Sequence, residues 1–135
     1  KDFQQAVIIR RLVEDLNFPV RIEVVPTVRE ADGLAMSSRN SYLSEGERQE
    51  ALALWHALTA AKAAVESGER CGSQLEKLML ASLKQHPGVR PQYVAVVDPA
   101  TLEPVEHIKS RVLLAVGAFV GQTRLIDNLV VEVTP

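Results

Sequence analysis

The first part of the chain changes its hydrophobic period once, from that of a helix to that of a strand. A set of apolar residues recurs on one helical face: Ala6, Ile9, Val13 and Leu16. Asp2 stands at a capping position with Gln5 three residues later, which is the pattern of a weak capping box. The helix is predicted to end at Asn17, and residues 20–25 then predict a strand that Pro26 closes. A helix followed by a strand is typical of the end of an α/β unit on a parallel sheet.

Residues 27–42 contain several charges and little apolar periodicity. This pattern predicts a loop with short turns rather than a further helix or strand. Loops of this length are usually functional or mobile.

Two helices are predicted next, each from a serine with a glutamate three residues later. Ser44 and Glu47 form the first capping box, and Ser73 and Glu76 form the second. Gly68 ends the first helix, and Pro87 follows the second. The inward stripe of the first helix is Ala51, Leu54, Trp55, Leu58 and Val65, and that of the second is Leu75, Leu78, Met79 and Leu83.

The last third of the chain has the apolar runs of strands. Residues 93–97 predict a strand that ends at an Asp98-Pro99 turn, and residues 129–133 predict the final strand. Residues 112–120 are almost wholly apolar and predict the central strand. The predicted class is α+β: an antiparallel sheet of about three strands with helices on one face, preceded by the helix–strand segment.

Composition narrows the possible functions. With 47% hydrophobic residues the chain can form a core, and its net charge of −2 disfavours a nucleic-acid binder, which needs a basic surplus. Cys71 is the single cysteine, so an internal disulfide is excluded and a reducing, cytoplasmic setting is expected. No apolar run is long enough to span a bilayer and no signal peptide is recognisable, so no membrane role is expected. Since the chain starts at Lys1 rather than at a methionine, we expect it to be a piece of a longer protein.

The sharpest chemical feature is the run Met36-Ser37-Ser38-Arg39-Asn40 in the predicted loop. Two hydroxyls, loop amides and a guanidinium can converge on a phosphate, whose oxygens match the planar fork of arginine donors. Such a loop can also close over a bound nucleotide. The alternative is a solvated loop in which the serines form turns and Arg39 pairs with an acid, and a bare S-S-R triplet favours this alternative.

A second candidate lies at the start of the predicted first helix. Lys1 stands where free amides and the helix dipole favour anions, although the negative Asp2 opposes them. Gln5, one turn inside, can hydrogen-bond a ligand carboxylate or hydroxyl. The alternative is an exposed lysine beside an ordinary helix cap.

The other polar candidates are weaker. The three histidines, His56, His86 and His107, lack metal-ligand spacing, so no metal site is predicted. Cys71 lies in a helix–helix connection, and Trp55 is assigned to the core. Arg124 and Asp127-Asn128 are assigned to a turn network after the central strand, with a structural role favoured over catalysis.

Three segments together resemble one enzyme family, the pantothenate synthetases (pantoate–β-alanine ligases). The segments are Lys1-Asp2-Phe3-Gln4-Gln5, the stretch from Pro26 to Asn40, and Thr123-Arg124-Leu125-Ile126-Asp127-Asn128. They are similar to the family's K-D-x-Q-Q, P-T-V-R-E-x-D-G-L-A-M-S-S-R-N and T-R-L-I-D-N segments, of which the second is long and specific. The resemblance runs from the first residue nearly to the last, and residues 46–87 are its least distinctive part.

The resemblance implies an adenylate-forming ligase that joins pantoate to β-alanine with ATP and Mg²⁺. Lys1 and Arg39 would act as the catalytic cations on the ATP phosphates, and Gln5 would hold pantoate. The remaining ATP-binding residues implied by the resemblance are Asp2, Val28, Met36, Ser37 and Ser38. The loop 36–39 would occupy the place of the KMSKS-type loop of related nucleotidyl transferases.

The resemblance also implies a domain boundary and an incomplete site. Residues 1–27 would be the end of a Rossmann-like catalytic domain, and residues 28–135 a smaller lid domain. The family's histidine-bearing nucleotide motif, most pantoate contacts and most Mg²⁺ ligands are not in this chain. The family's enzymes are homodimers. Apart from the resemblance, the bare apolar helix face and unpaired strand of segment 1–27 are expected to dock onto the α+β domain, to pair with a second copy or to fray, and self-association is favoured.

Two other classes of protein remain as alternatives. One is a non-catalytic nucleotide- or protein-binding α+β module. The other is a tRNA-synthetase-like module, which the acidic charge balance disfavours.

Overall fold

The computed structural model describes residues 1–134, which form three α-helices, one 3₁₀ helix and a three-stranded sheet. The elements in chain order are α1 (Phe3–Asp15), the 3₁₀ helix η1 (Ser38–Tyr42), α2 (Glu45–Glu66), α3 (Gly72–Lys84), β1 (Val89–Val97), β2 (Arg111–Val120) and β3 (Thr123–Glu132). No helix of this part of the chain is long and apolar enough to cross a bilayer.

The sheet is antiparallel with the order β1-β2-β3, so the apolar run 112–120 is central as predicted. Alternate residues of β2 turn toward α2 and α3 and join one core with the helical stripes. The core residues of β2 are Val112, Leu114, Val116, Ala118 and Val120. The α+β class, with helices packed on one face of three antiparallel strands, is therefore confirmed.

The capping box predicted at Ser44 is confirmed. The Ser44 hydroxyl accepts from the Glu47 amide at 3.2 Å, and the Glu47 carboxylate accepts from the Ser44 amide at 2.9 Å. Gly68, at φ +112°, follows the helix in the left-handed conformation that glycine adopts readily. At α1 the Asp2 carboxylate accepts from the Gln5 amide at 3.0 Å, which is one half of the predicted box.

The capping box predicted at Ser73 is wrong. The cap residue of α3 is Cys71, which makes no side-chain cap hydrogen bond. Residues 70–72 bond the backbone of residues 106–108, and this pairing sets where the helix begins. Ser73 consequently falls inside the helix, and the Glu76 carboxylate accepts instead from the Val96 amide. Leu78, expected in the core, is 39% exposed because it lies outside the buried stripe of the helix.

Two strand assignments also need correction. Residues 20–25 form no strand, since a strand's hydrogen bonds are made to a neighbouring strand and none is paired with this segment in the described chain. The last strand begins at Thr123 rather than Leu129, directly after a two-residue turn in which Gly121 has φ +59°. Arg124, Asp127 and Asn128 therefore lie on β3 and not in a turn network. The sequence pattern did not predict a strand here because these polar residues interrupt the apolar run.

Candidate functional site

The segment Val28–Met36 is a tight hairpin rather than an open loop. Arg29 bridges Ala35, and the Met36 amide donates to the Val28 carbonyl at 2.9 Å. Gly33 turns the chain at φ +100°, a conformation that favours glycine. The hairpin brings Val28 and Met36 side by side, and both side chains remain more than half exposed. It therefore displays an apolar pair next to the predicted phosphate-binding residues.

The predicted phosphate-binding residues form the start of η1. Ser37 caps this short helix, because its hydroxyl accepts from the Arg39 amide at 3.2 Å. Ser38 is exposed, and its carbonyl accepts from the Ser41 hydroxyl at 2.8 Å. Asn40 ties the turn back to the hairpin by donating to the Ala35 carbonyl at 3.0 Å. The Ser38 side chain is thus available to a ligand, whereas the Ser37 hydroxyl already accepts one bond.

Arg39 is exposed and reaches across to β3. Its guanidinium donates to the Arg124 carbonyl at 3.3 Å, and both arginines line an open concavity of about 800 Å³. The other residues of its wall are Tyr42, Glu47, Gly121, Gln122 and Thr123. Two guanidinium groups on one concave surface suit an anion, although Glu47 places a negative charge in the same wall.

Lys1 and Arg39 lie near each other but line different concavities. The Lys1 carbonyl accepts from the Asn128 side-chain amide, which anchors the chain start to β3. Burial lowers the pKa of the Lys1 ammonium; Asp127 opposes this shift, and the neighbouring Arg39 adds to it. The structure therefore brings the two predicted catalytic cations within electrostatic reach.

Asp2 and Gln5 lie at the first turn of α1. Asp2 lines a groove of about 430 Å³ against the sheet face opposite the helices, together with Phe3, Tyr93 and Arg124. Gln5 is exposed and is absent from the wall that Arg39 lines. The two residues are therefore near Lys1 in the chain but are not gathered around Arg39.

Arg29 and Asp127 form an ion pair that the sequence pattern did not predict. Arg29 and Asp127 form two hydrogen bonds, Nη1 to Oδ2 at 2.6 Å and Nη2 to Oδ1 at 2.9 Å. Asp127 is 4% exposed, on the helix-facing side of β3. One signal for it was present: Asp127 alternates with Leu125, Leu129 and Val131, so a carboxylate occupies an inward position.

The Arg29 guanidinium also stacks on Trp55, 4.0 Å from the ring centroid. Trp55 is partly buried and forms a platform for Arg29 at the edge of the core, rather than lying inside it as predicted. The tight fit depends on Gly33, since a Cβ there would lie 2.1 Å from the Trp55 ring.

The remaining polar candidates contribute no recognisable site. His86 Nδ1 lies 3.3 Å from a Glu50 oxygen, and its ring stands 6.1 Å from that of His56. The Cys71 thiol lies 3.2 Å from the Ser73 hydroxyl, which lowers the pKa of the thiol. Within residues 1–134, no group of three or more His, Cys, Asp or Glu side chains is placed to hold a metal ion.

The family model for pantoate-beta-alanine ligase matches residues 1–130. The chain is 50% identical over 133 residues to the pantothenate synthetase of Moorella thermoacetica, covering 98% of this chain and 47% of that protein. It is 51% identical over 137 residues to the enzyme of the same name from Salinibacter ruber, covering 100% of this chain and 46% of the relative. The chain thus spans about half the length of the curated relatives it matches.

Solved structures give the same result. The crystal structure of pantothenate synthetase from Thermus thermophilus aligns with a TM-score of 0.91 at 41% identity, over 96% of this chain and 46% of that one. The pantoate-beta-alanine ligase of Francisella tularensis, complexed with beta-gamma ATP and beta-alanine, aligns with a TM-score of 0.58 at 25% identity. That alignment covers 96% of this chain and 40% of the Francisella protein.

Proposed function

The chain belongs to the pantoate–β-alanine ligase family, and on this premise we propose that it forms part of an ATP-dependent ligase that makes pantothenate, the precursor of coenzyme A. The observation that carries the proposal is the arrangement of hairpin 28–36 and η1. They present the apolar pair Val28 and Met36 beside a group of hydrogen-bond donors suited to phosphate, which includes Arg39. Lys1 lies within electrostatic reach of Arg39. The Francisella relative, whose structure holds an ATP compound and beta-alanine, supports the same substrates.

The proposed reaction has two steps. The pantoate carboxylate attacks the α-phosphorus of ATP, and pyrophosphate leaves to give pantoyl adenylate. The neutral amine of β-alanine then attacks the pantoyl carbonyl, AMP leaves with the bonding pair, and the amine gives up a proton. In the first step negative charge develops on the phosphate oxygens, and positioned cations and donors stabilise it.

Each predicted residue has a place in this scheme. Arg39 and Lys1 neutralise the charge that develops on the α-phosphate and on pyrophosphate, and the Ser37 and Ser38 region supplies further donors. The exposed side chains of Val28 and Met36 border the adenine. Gln5 holds pantoate, and Asp2 lies beside the nucleotide.

The resemblance implies that Mg²⁺ would bind together with ATP, through its phosphates and through carboxylates that lie mostly outside this chain, and would help to neutralise the phosphate charge. The residues of this chain would bind and orient the nucleotide.

We extend the proposal to the organisation of the longer protein. Residues 1–27 would end a Rossmann-like catalytic domain and residues 28–135 would form a lid that closes over ATP. No residue of α1 is buried, which supports a partner surface for that helix elsewhere in the ligase. A cytoplasmic location and a homodimeric ligase complete the proposal.

The test is isotope transfer in the complete ligase that contains this chain. With pantoate labelled by ¹⁸O in its carboxylate, an adenylate intermediate puts one label into AMP once β-alanine is added. Pyrophosphate release without β-alanine should require pantoate. Label-free AMP, or release of ADP and phosphate in place of AMP, would refute the adenylate route, and nucleotide binding without turnover would favour a non-catalytic binding module.

A further inference from the structure

Arg29 is the point at which three elements of the described chain meet. Its guanidinium bonds Asp127 on β3 through both terminal nitrogens, donates to the Gly33 carbonyl at 3.1 Å, and stacks on Trp55 of α2. It also donates to the Asn128 carbonyl at 3.3 Å. With side-chain exposures of 17% and 4%, the Arg29–Asp127 pair is shielded from solvent. The hairpin is thus held to the sheet by one planar side chain with several partners.

The residues on either side of Asp127 anchor the two cations assigned to ATP. The Arg124 carbonyl accepts from Arg39, and the Asn128 side chain donates to the Lys1 carbonyl. The Asn128 amide in turn donates to Asp127 at 2.8 Å. One five-residue stretch of β3 therefore holds the start of the chain, the hairpin and the phosphate loop in a common frame.

A buried ion pair is a poor way to add net stability, because desolvation of the two charges offsets their attraction. Its geometry is nevertheless specific, since a bidentate arginine–carboxylate pair tolerates one orientation and lysine cannot reproduce it. Asp127 occupies an inward position on β3 between Leu125 and Leu129, whereas Arg29 lies at the edge of the core beside the hairpin. Because the other partners of Arg29 are the Gly33 carbonyl and the Trp55 ring, the pair joins the hairpin to β3 and α2.

We propose that Arg29 and Asp127 are positioning residues, whose ion pair clasps hairpin 28–36 onto β3 and so sets the spacing between Arg39 and Lys1. The inference rests on the proposed function for its consequence, namely that the clasp tunes ATP binding. The clasp itself is a property of the unliganded chain. A misplacement of about 1 Å in a catalytic site can lower a reaction rate by about 10²-fold.

The experiment compares two variants with a matched control in the complete ligase that contains this chain. Arg29→Lys keeps the charge and removes the bidentate fork, and Asp127→Asn keeps the shape and removes the charge. The control is Arg111→Lys, whose partner Glu132 lies 3.4 Å away at the exposed end of the β2–β3 ladder. For each protein, amide hydrogen exchange is measured without ligand, and ATP binding is followed by NMR shifts of the residue 37–39 amides.

We expect Arg29→Lys and Asp127→Asn to speed exchange of the Gly33 and Met36 amides, while β2 stays as protected as in the control. ATP affinity should fall about 10-fold or more in both variants and stay unchanged in Arg111→Lys. Unchanged exchange of the Gly33 and Met36 amides would overturn the clasp. Loss of β2 protection in both variants would also overturn it, because the pair would then serve the fold in general.

The two proposals fail in different ways. If the unmodified ligase binds no ATP while the variants still loosen the hairpin, the ion pair holds the hairpin but the ATP assignment is wrong. If ATP binds equally to the unmodified ligase and to both loosened variants, the ion pair holds the hairpin but does not position the phosphate site, and this inference is wrong.

Discussion

At the scale of single residues, the candidate site depends on two cations placed by different means. Arg39 sits in the first turn of η1 and leans on the Arg124 carbonyl, whereas Lys1 is held by its backbone and lies close to Asp127. Neither side chain is enclosed, so both can meet an incoming polyphosphate. Because Arg39 and Lys1 are anchored separately, we expect that either side chain can be replaced without unfolding the sheet.

Replacing either cation should slow adenylate formation in the complete ligase. Arg39→Ala and Lys1→Ala each remove a preorganised charge partner, which typically costs about 10²–10³-fold in rate. Ser38→Ala should cost less, because neighbouring amides can replace its hydroxyl. The measurement is single-turnover pyrophosphate release without β-alanine, with Lys84→Ala, an exposed residue at the end of α3, as the control. A normal rate for Arg39→Ala would remove that residue from the mechanism.

The lowered pKa of Lys1 gives a second prediction at this scale. Since its pKa lies below that of an ordinary lysine, the ammonium loses its proton at a lower pH. ATP affinity should therefore fall as the pH rises through that pKa. Lys1→Arg should flatten this dependence because a guanidinium stays charged. Titrations of ATP from neutral to alkaline pH decide the point, and an equally steep decline for Lys1→Arg would assign the titration to another group.

At the scale of elements, the hairpin 28–36 is the structure on which the site is built. Arg29 of the hairpin bonds Asp127 and stacks on Trp55, and the chain continues from the hairpin directly into η1. Leu34 and Ala35 are buried, so the hairpin has its own small apolar anchor. The exposed outer side of the hairpin therefore lies above a packed, hydrogen-bonded inner side.

Gly33→Ala should disrupt this hairpin. The backbone is in the left-handed region, at a cost of about 1–3 kcal/mol for most side chains, and the new methyl would meet the Trp55 ring. In urea, the free energy of unfolding should fall by at least that amount. The fluorescence of Trp55, the single tryptophan, should also differ between the folded variant and the folded unmodified chain. Gly46→Ala is the control, because a Cβ there meets no atom within 4 Å and alanine favours the helix. Equal stability of the two variants would contradict the tight fit.

At the scale of the whole molecule, the chain combines a well-packed α+β core with an N-terminal segment that has no core of its own. No residue of α1 is buried, and residues 20–25 pair with no strand of the described chain. The large exposed apolar side chains of the segment are Ile8, Ile9, Leu12, Leu16, Phe18, Val20, Val24 and Val25. Surfaces of this kind usually mark an interface.

The isolated chain should have no ligase activity. It spans about half the length of its relatives, and groups that act together lose their effect when they are not held in place. Incubation with ATP, Mg²⁺, pantoate and β-alanine should produce no AMP above a blank without protein. Clear turnover would show that this chain alone contains a complete site.

The isolated chain should also self-associate through its N-terminal segment. A bare apolar helix face and an unpaired extended segment both gain free energy by being covered. Sedimentation of the chain beside a version that starts at Val28 tests this, and we expect association with concentration in the first and not in the second. If both versions stay monomeric across a wide concentration range, the exposed apolar face does not drive association.

The local patterns of the chain determined much of the fold, whereas the assignment of residues 36–39 to ATP phosphates came from the resemblance and stays a prediction. The helical stripe of α2 apart from Trp55, its Ser44–Glu47 cap and the apolar run of β2 were predicted correctly, because periodicity and capping report contacts within a few residues. The resemblance carried the candidate residues Lys1, Ser38 and Arg39, which no spacing rule would have selected. Their roles remain predictions.

Only the tertiary structure decided which distant residues meet. Arg29 and Asp127 are 98 positions apart, so no local pattern pairs them, although the inward place of Asp127 among apolar neighbours indicated a buried charge. The start of α3 was misplaced because residues 106–108 set it, and the strand at 20–25 failed because a strand exists only beside a partner. Local propensity determines which elements a segment can form; contacts between segments determine which of them form and where their side chains converge.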